Sequence, residues 1–143
     1  MLIKESTPMN KKHLSIIFVL ATLFLAMLAC SGSVSTANIK DARMTLDKEG
    51  TQETTVFSPK DVFHCVGTLA NAPDDTTIKA SWIAVEAEGI DPNYLIMEKE
   101  VTGGSGSFNF ELSNDQLWPA GKYKVDLYLN DKLETSVEFE VQP

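Results

Sequence analysis

The chain has 143 residues, of which 43% are hydrophobic and 8% aromatic, enough for one ordinary domain and a short additional segment. Its net charge is −8, and because an acidic surface repels phosphate groups, the composition argues against nucleic acid as a partner. The chain has only two cysteines, Cys30 and Cys65, so it lacks the framework of a disulfide-rich secreted domain.

Residues 1–29 have the features of an export signal. Lys11 and Lys12 precede an apolar run over residues 14–28, which suits a signal-peptide core better than a permanent membrane helix. The run ends in Met27-Leu28-Ala29-Cys30, which resembles the lipobox of bacterial lipoproteins, although leucine is usual where Met27 stands. This resemblance implies cleavage before Cys30 and attachment of lipid, such as palmitate, to that cysteine. The alternative is an ordinary secretory signal with a coincidental cysteine.

The signal determines the expected location and charge of the mature protein. Without residues 1–29, which hold three lysines and one glutamate, the chain would have nine basic and nineteen acidic residues and a net charge of −10. We therefore expect an exported protein held on a bacterial membrane, the cell membrane or the outer membrane, by the acyl chains on Cys30. Residues 30–37 are small and polar, which predicts a flexible tether. Translation could start at Met1 or Met9.

Residues 38–143 show the period-two alternation of half-buried strands. In the strand over residues 123–129, for example, Lys124 and Asp126 are expected on the outward face, opposite the apolar residues. A return segment at residues 54–57 precedes Ser58-Pro59, and Asn130-Asp131 predicts a two-residue hairpin turn. No convincing amphipathic helix follows residue 30. The pattern therefore predicts a single seven-stranded antiparallel β-sandwich, with strands near residues 40–46, 61–70, 77–88, 94–101, 107–112, 123–129 and 133–141.

Two features resemble immunoglobulin-like and fibronectin type III-like sandwiches. Leu117-x-Pro119-x-x-x-Tyr123, followed by an alternating strand, resembles their tyrosine corner, and Trp82 resembles the buried tryptophan of their third strand. The resemblance implies that Leu117, Pro119 and Tyr123 form a structural corner, with the tyrosine hydroxyl bonded to backbone upstream. The chain also resembles small accessory sandwiches of bacterial surface lipoproteins. This resemblance implies no catalytic residues in this chain.

The sequence offers little for catalysis. His64 and Cys65 are adjacent, but neighbouring strand residues point to opposite faces, so we expect Cys65 in the core and His64 at the surface. No nucleophile elbow, zinc-binding motif or phosphate loop is present. Solvated loop carboxylates such as Asp74 and Asp75 lack calcium-binding spacing. We therefore predict a protein that is not an enzyme and that has no metal site and no cofactor.

Two binding functions remain. Ile83 and Val85 lie on the strand face opposite Trp82 and, if exposed, would form an apolar strip for a protein partner, as would an unpaired sheet edge. Trp118, in the corner loop, could instead stack on a glycan or other small ligand, or it could pack against the end of the sandwich. The leading hypothesis is a lipid-anchored binding or scaffold module that engages an envelope protein. Glycan or small-ligand capture at Trp118 and the neighbouring loops is the alternative.

Overall fold

The computed structural model describes residues 35–143, so the signal segment and Cys30 lie outside the described residues. Within this range the chain is all β, as the alternation predicts, and it has no helix. It contains eight strands: β1 Asn38–Thr45, β2 Val56–Phe57, β3 Phe63–Ala70, β4 Thr77–Ala87, β5 Tyr94–Thr102, β6 Gly106–Leu112, β7 Gly121–Leu129 and β8 Lys132–Val141.

The strands form a three-stranded sheet, in the order β1-β3-β6, and a five-stranded sheet, in the order β2-β8-β7-β4-β5. The prediction of seven antiparallel strands is wrong in two details. Residues 56–57 form an additional strand, and this strand pairs with β8 in parallel. A strand of two residues is too short to show an alternating pattern in the sequence. Phe57, which lies opposite Val141, is held there because its side chain is buried in the core.

The core lies between the two sheets and is built from the residues that the alternation places inward. Phe63, Cys65 and Leu69 of β3 face buried side chains of β4 and β7, including Trp82. Full burial of a large apolar side chain contributes about 1.5–3 kcal/mol, so this shared face supplies most of the driving force for folding. The β4 and β7 members are Ile78, Ala80, Trp82, Ala84, Tyr123, Val125, Leu127 and Leu129.

The corner before β7 closes one end of the sandwich. The hydroxyl of Tyr123 donates a hydrogen bond of 2.6 Å to the carbonyl oxygen of Pro119, the bond that the resemblance implies. The expectation that Leu117 belongs to this packed corner is wrong, because Leu117 is 61% exposed. Trp118 is buried in its place, with its backbone N–H bonded to the carbonyl oxygen of Pro59. We call this end of the sandwich the corner end.

The first described residues lie at the other end. The hydroxyl of Thr36 donates to the carbonyl oxygen of Asn71, in the loop between β3 and β4. The backbone N–H of Ala72 in turn donates to Ser105, in the loop between β5 and β6. Residues 35–37, which the sequence predicts to be part of a tether, therefore begin at the end of the sandwich opposite the corner.

The outward side of β3 is less exposed than predicted. His64 was expected at the surface but is only 7% exposed. The reason is that β3 is the central strand of its sheet, so Thr45 and Glu111 flank His64 on both sides. Its Nδ1 lies 3.2 Å from the side-chain oxygen of Asn109. A central position in the sheet, which local alternation does not reveal, buries this residue.

Candidate partner surface

Trp118 packs into the corner end. Its indole N–H donates a 3.0 Å hydrogen bond to the carbonyl oxygen of Asp61, and its ring stacks on Phe63 with centroids 4.7 Å apart. The side chain is 7% exposed, so its faces are not available to a sugar ring or another planar ligand. Of the two roles that the sequence leaves open for Trp118, the structure favours packing.

Ile83 and Val85 lie on the outer face of β4, the face turned away from the three-stranded sheet, and both are half-buried. Leu95 of β5 lies directly opposite Ile83 and is 48% exposed. Directly paired residues in a sheet project from the same face, so these three side chains form one surface feature. We call Ile83, Val85 and Leu95 the apolar strip. It lies on the corner half of the five-stranded sheet, beside its free edge.

Sequence reasoning missed Leu95. The pairing of β4 with β5 changes register between Trp82 and Ile83, where the segment from Leu95 to Met97 has one residue more than its partner. Such a bulge places Leu95 and Glu98 on the same face although they are separated by an odd number of positions. No signal in the sequence reveals the bulge, because it becomes visible only when the partner strand is known.

A groove of about 420 Å³ adjoins the strip on the outer face. Val85 lines it together with charged residues of β7 and β8, among them Lys122 and Glu140, which lie directly opposite each other. The groove is open and its walls carry both signs of charge. Among residues 35–143 no group of three or more histidine, cysteine or acidic side chains could hold a metal ion.

A row of polar residues crosses the same face. Lys124 and Asp126, both expected to point into solvent, form an ion pair of 2.9 Å, and Asp126 is only 4% exposed. Ser136, opposite Asp126 on β8, donates a 2.5 Å hydrogen bond to the same carboxylate. Between β4 and β5, the hydroxyl of Ser81 donates a 2.7 Å hydrogen bond to the carboxylate of Glu98. The prediction for Asp126 is wrong because the neighbouring strands cover it, and the row is a satisfied network rather than a reactive site.

Cys65 is not a nucleophile in the folded domain. It is fully buried, and desolvation raises the pKa of its thiol to about 12, so the thiol is protonated at neutral pH. His64, on the next position of β3, interacts with Asn109 and not with the sulfur. The two residues therefore do not form a catalytic pair.

Comparison with known proteins identifies the fold of the described domain. No protein-family model matches the sequence, and no curated protein matches it. An immunoglobulin-like protein of Pseudomonas aeruginosa is similar in structure, with a TM-score of 0.53 and 14% identity over 78% of this chain and 100% of that protein. The described domain has an immunoglobulin-like fold.

A second structure similar to this immunoglobulin-like domain is the alkylpurine DNA glycosylase AlkC of Pseudomonas fluorescens, bound to DNA containing an abasic-site analogue. Its TM-score is 0.52 and its identity 16%, over 76% of this chain and 31% of the glycosylase. This chain therefore spans less than a third of that enzyme's length. At such identities both likenesses show the fold alone, since sandwiches of this kind serve many unrelated functions.

Proposed function

We propose that this protein is an exported, lipid-anchored binding module that engages a protein partner at the bacterial cell envelope and is not an enzyme. The anchor is assigned to Cys30 from the apolar run and the lipobox-like residues before it. No helix within residues 35–143 is long and apolar enough to cross a membrane. In this proposal the membrane and an envelope protein are the partners, and nucleic acid is not.

The apolar strip carries the proposal. Ile83, Val85 and Leu95 form a continuous apolar feature beside charged and hydroxyl side chains of the same sheet face. Covering the exposed part of Leu95 alone would remove about half of that side chain from water, and each fully buried aliphatic side chain contributes about 1.5–3 kcal/mol. A contiguous apolar patch with a polar border is typical of protein–protein contact sites.

The position of the strip supports the same function. Ser35 and Thr36 lie at the end of the sandwich opposite the corner, whereas the strip lies on the corner half of the five-stranded sheet. Ser35 follows the proposed lipid attachment site by five residues, so the end of the domain nearest to Cys30 in sequence is not the half that carries the strip. The glycan-binding alternative loses its main support because Trp118 is buried.

Site-specific photo-crosslinking in intact cells tests the proposal. A photoreactive amino acid at Leu95 should give a defined adduct with one envelope protein, identified by mass spectrometry. The matched control places the same amino acid at Ser107, an exposed position of β6 on the other sheet. An adduct that forms equally from both positions, or from neither, contradicts a partner surface at the strip. When the photoreactive amino acid is placed at a neighbouring position instead of Leu95, the substitutions Ile83→Asp and Leu95→Asp should each abolish the adduct.

A further inference from the structure

The free edge of β5 differs from the other strand edges. Within residues 35–143 β5 pairs only with β4, and all nine of its residues are exposed or half-buried. The edge strand β2 has two residues, and β1 is interrupted by a register shift after Lys40. The edge strand β6 has no exposed large apolar side chain, whereas β5 exposes Tyr94, Leu95 and Val101. It is therefore the longest and most apolar open edge of the described domain.

The hydrogen-bonding pattern identifies the backbone groups at this edge. Gly103 N–H donates to the carbonyl oxygen of Thr76, while the carbonyl of Thr77 accepts from Asn130 on the β7 side. Bonded and non-bonded pairs alternate along an antiparallel ladder, so every second residue of β5 points its N–H and C=O away from β4. From the register, these residues are Thr102, Glu100 and Glu98, which lie opposite Thr77, Lys79 and Ser81.

Two of these three residues, Glu98 and Glu100, carry the negative charge of the edge. Glu98 and Glu100 lie opposite outer-face residues of β4, so both carboxylates project from the outer face. Glu98 accepts from Ser81 and lies 3.8 Å from Lys79. Within residues 35–143 no ion pair involves Glu100, which is exposed. A strand added at this edge would therefore place its own outer-face side chains beside two carboxylates that share one neighbouring cation, Lys79, which lies opposite Glu100 and within 3.8 Å of Glu98.

This charge pattern opposes pairing with a second copy. In antiparallel self-pairing, a two-fold axis at Glu98 or at Glu100 sets two glutamates directly opposite each other. An axis at Lys99 sets two lysines opposite each other and places Glu98 against Glu100 on both sides. Like charges in directly opposed positions destabilise a strand pair, so the edge disfavours these three registers of self-pairing. An axis at Val101 opposes no like charges, since it sets Glu100 against Thr102.

We propose that the β5 edge docks an extended strand of a partner protein that carries basic residues at two positions separated by one residue. The main-chain groups of Glu98, Glu100 and Thr102 supply the hydrogen bonds, and the two carboxylates select the basic side chains. The inference rests on the proposed function, because the strand belongs to the partner whose apolar side chains cover the strip beside it. The partner is thus identified by chemistry as a protein with an exposed basic strand or tail.

A peptide of eight alternating lysine and valine residues, acetylated and amidated, probes this edge in the full-length protein held in detergent. We expect saturable binding, slower hydrogen exchange at the amides of Glu98, Glu100 and Thr102, and weaker binding as salt is raised. The matched peptide of alternating glutamate and valine should not bind. Equal binding of both peptides, or protection of amides on β6 instead, overturns the proposal.

Variants at one position separate the backbone contribution from the charge. Glu100→Gln removes only the charge and should weaken binding about two- to five-fold, the size of one cross-strand charge pair. Glu100→Pro also removes the edge N–H and should weaken binding by a further factor of about ten or less, the size of one hydrogen bond. Proline is tolerated here because this N–H does not bond to β4, and a thermal melt checks that the fold is kept. Equal binding by the two variants contradicts strand addition.

The two proposals can fail separately. If the adduct at position 95 forms in cells but neither Glu100→Pro nor Glu100→Lys reduces it, the partner uses the strip and the edge proposal is wrong. If the lysine–valine peptide binds as described but no adduct forms, the edge accepts strands and the strip is not a partner surface in cells. Loss of the adduct in Glu100→Pro and its retention in Glu100→Gln support both.

Discussion

Single residues at the corner determine how this end of the sandwich is held closed. Tyr123 combines a buried ring, stacked against Phe139 with centroids 5.5 Å apart, with a hydroxyl that satisfies the Pro119 carbonyl. One side chain thus provides both packing and a hydrogen bond, and these two contributions can be removed separately. Trp118 works in the same way, with its ring on Phe63 and its N–H on Asp61.

Substitutions at Tyr123 should separate the two contributions. Tyr123→Phe removes only the hydrogen bond and should lower the free energy of unfolding by about 1–3 kcal/mol. Tyr123→Ala also leaves a cavity and should cost about 3–5 kcal/mol. Urea melts measure both. Lys122→Ala, at an exposed neighbouring position, should stay within about 0.5 kcal/mol. A Lys122 change as damaging as Tyr123→Ala would contradict the register of β7.

Cys65 should make stability depend on pH in the alkaline range. Its thiol has a pKa of about 12 in the folded domain and 9.0 as the ordinary value. Because the folded state keeps the proton longer, stability is complete below pH 9 and falls as the pH rises from 9 towards 12, by at most about 1.4 kcal/mol per pH unit.

The comparison of wild type with Cys65→Ala measures this slope by urea melts at several pH values. The variant should cost about 1–2 kcal/mol at pH 7 and should lack the thiol's share of the alkaline loss, while the titration of Tyr123 remains in both proteins. Native wild type should also react slowly with iodoacetamide at pH 8 and quickly in urea. Rapid labelling of the native protein would show that Cys65 is accessible.

At the scale of elements, the β7–β8 hairpin shows how a turn is selected. Asn130 and Asp131 have φ values of 46° and 68°, as a two-residue type I′ turn requires. The two residues differ in one respect. The side-chain oxygen of Asn130 accepts a 2.9 Å hydrogen bond from the N–H of Thr77, at the start of β4, so Asn130 also connects two hairpins.

Glycine substitutions at these two positions should therefore have opposite effects. Asp131→Gly relieves the strain of a positive φ and should raise the free energy of unfolding by about 0.5–1 kcal/mol. Asn130→Gly gives the same relief but loses the bond to Thr77, and should be neutral or destabilising by about 1 kcal/mol. Thermal melts of both variants, run side by side, test this. Equal stabilisation by both would show that the bond to Thr77 contributes nothing.

At the scale of the whole molecule, the proposed lipid site and the proposed partner surface lie in different parts of the sequence, the first before the described domain and the second within it. The proposed lipid on Cys30 holds the protein at a membrane, while the strip and the β5 edge lie on the five-stranded sheet. The domain has no disulfide, since Cys65 is buried and free, so its stability must come from the core alone.

The anchor is tested by Cys30→Ala. We expect the wild type to partition into the detergent phase of a two-phase extraction, because acyl chains supply the membrane affinity. The variant should be left uncleaved or released as a soluble protein. Mass spectrometry of the mature N-terminus provides the direct measurement. An unmodified residue there in the wild type would exclude a lipid anchor, and a Ser31→Ala variant serves as the control for cleavage.

Much of the fold could be predicted from the sequence because alternation is a local property. Successive strand residues point to opposite faces, so the inward residues of β3, β4 and β7 follow from the pattern itself. The corner is equally local, since Pro119 and Tyr123 are four residues apart. The hairpin turn at Asn130 and Asp131 follows from the positive φ values that these two residue types tolerate.

The tertiary structure alone decided what each strand has beside it. His64 and Asp126 are buried, against expectation, by strands that are distant in sequence, and Trp118 rather than Leu117 fills the corner because Phe63 and Asp61 lie there to receive it. The strip extends to Leu95 only because a bulge brings it opposite Ile83. A side chain's face is set by its own backbone, whereas its burial and its neighbours are set by strands paired across long loops, which local pattern does not encode.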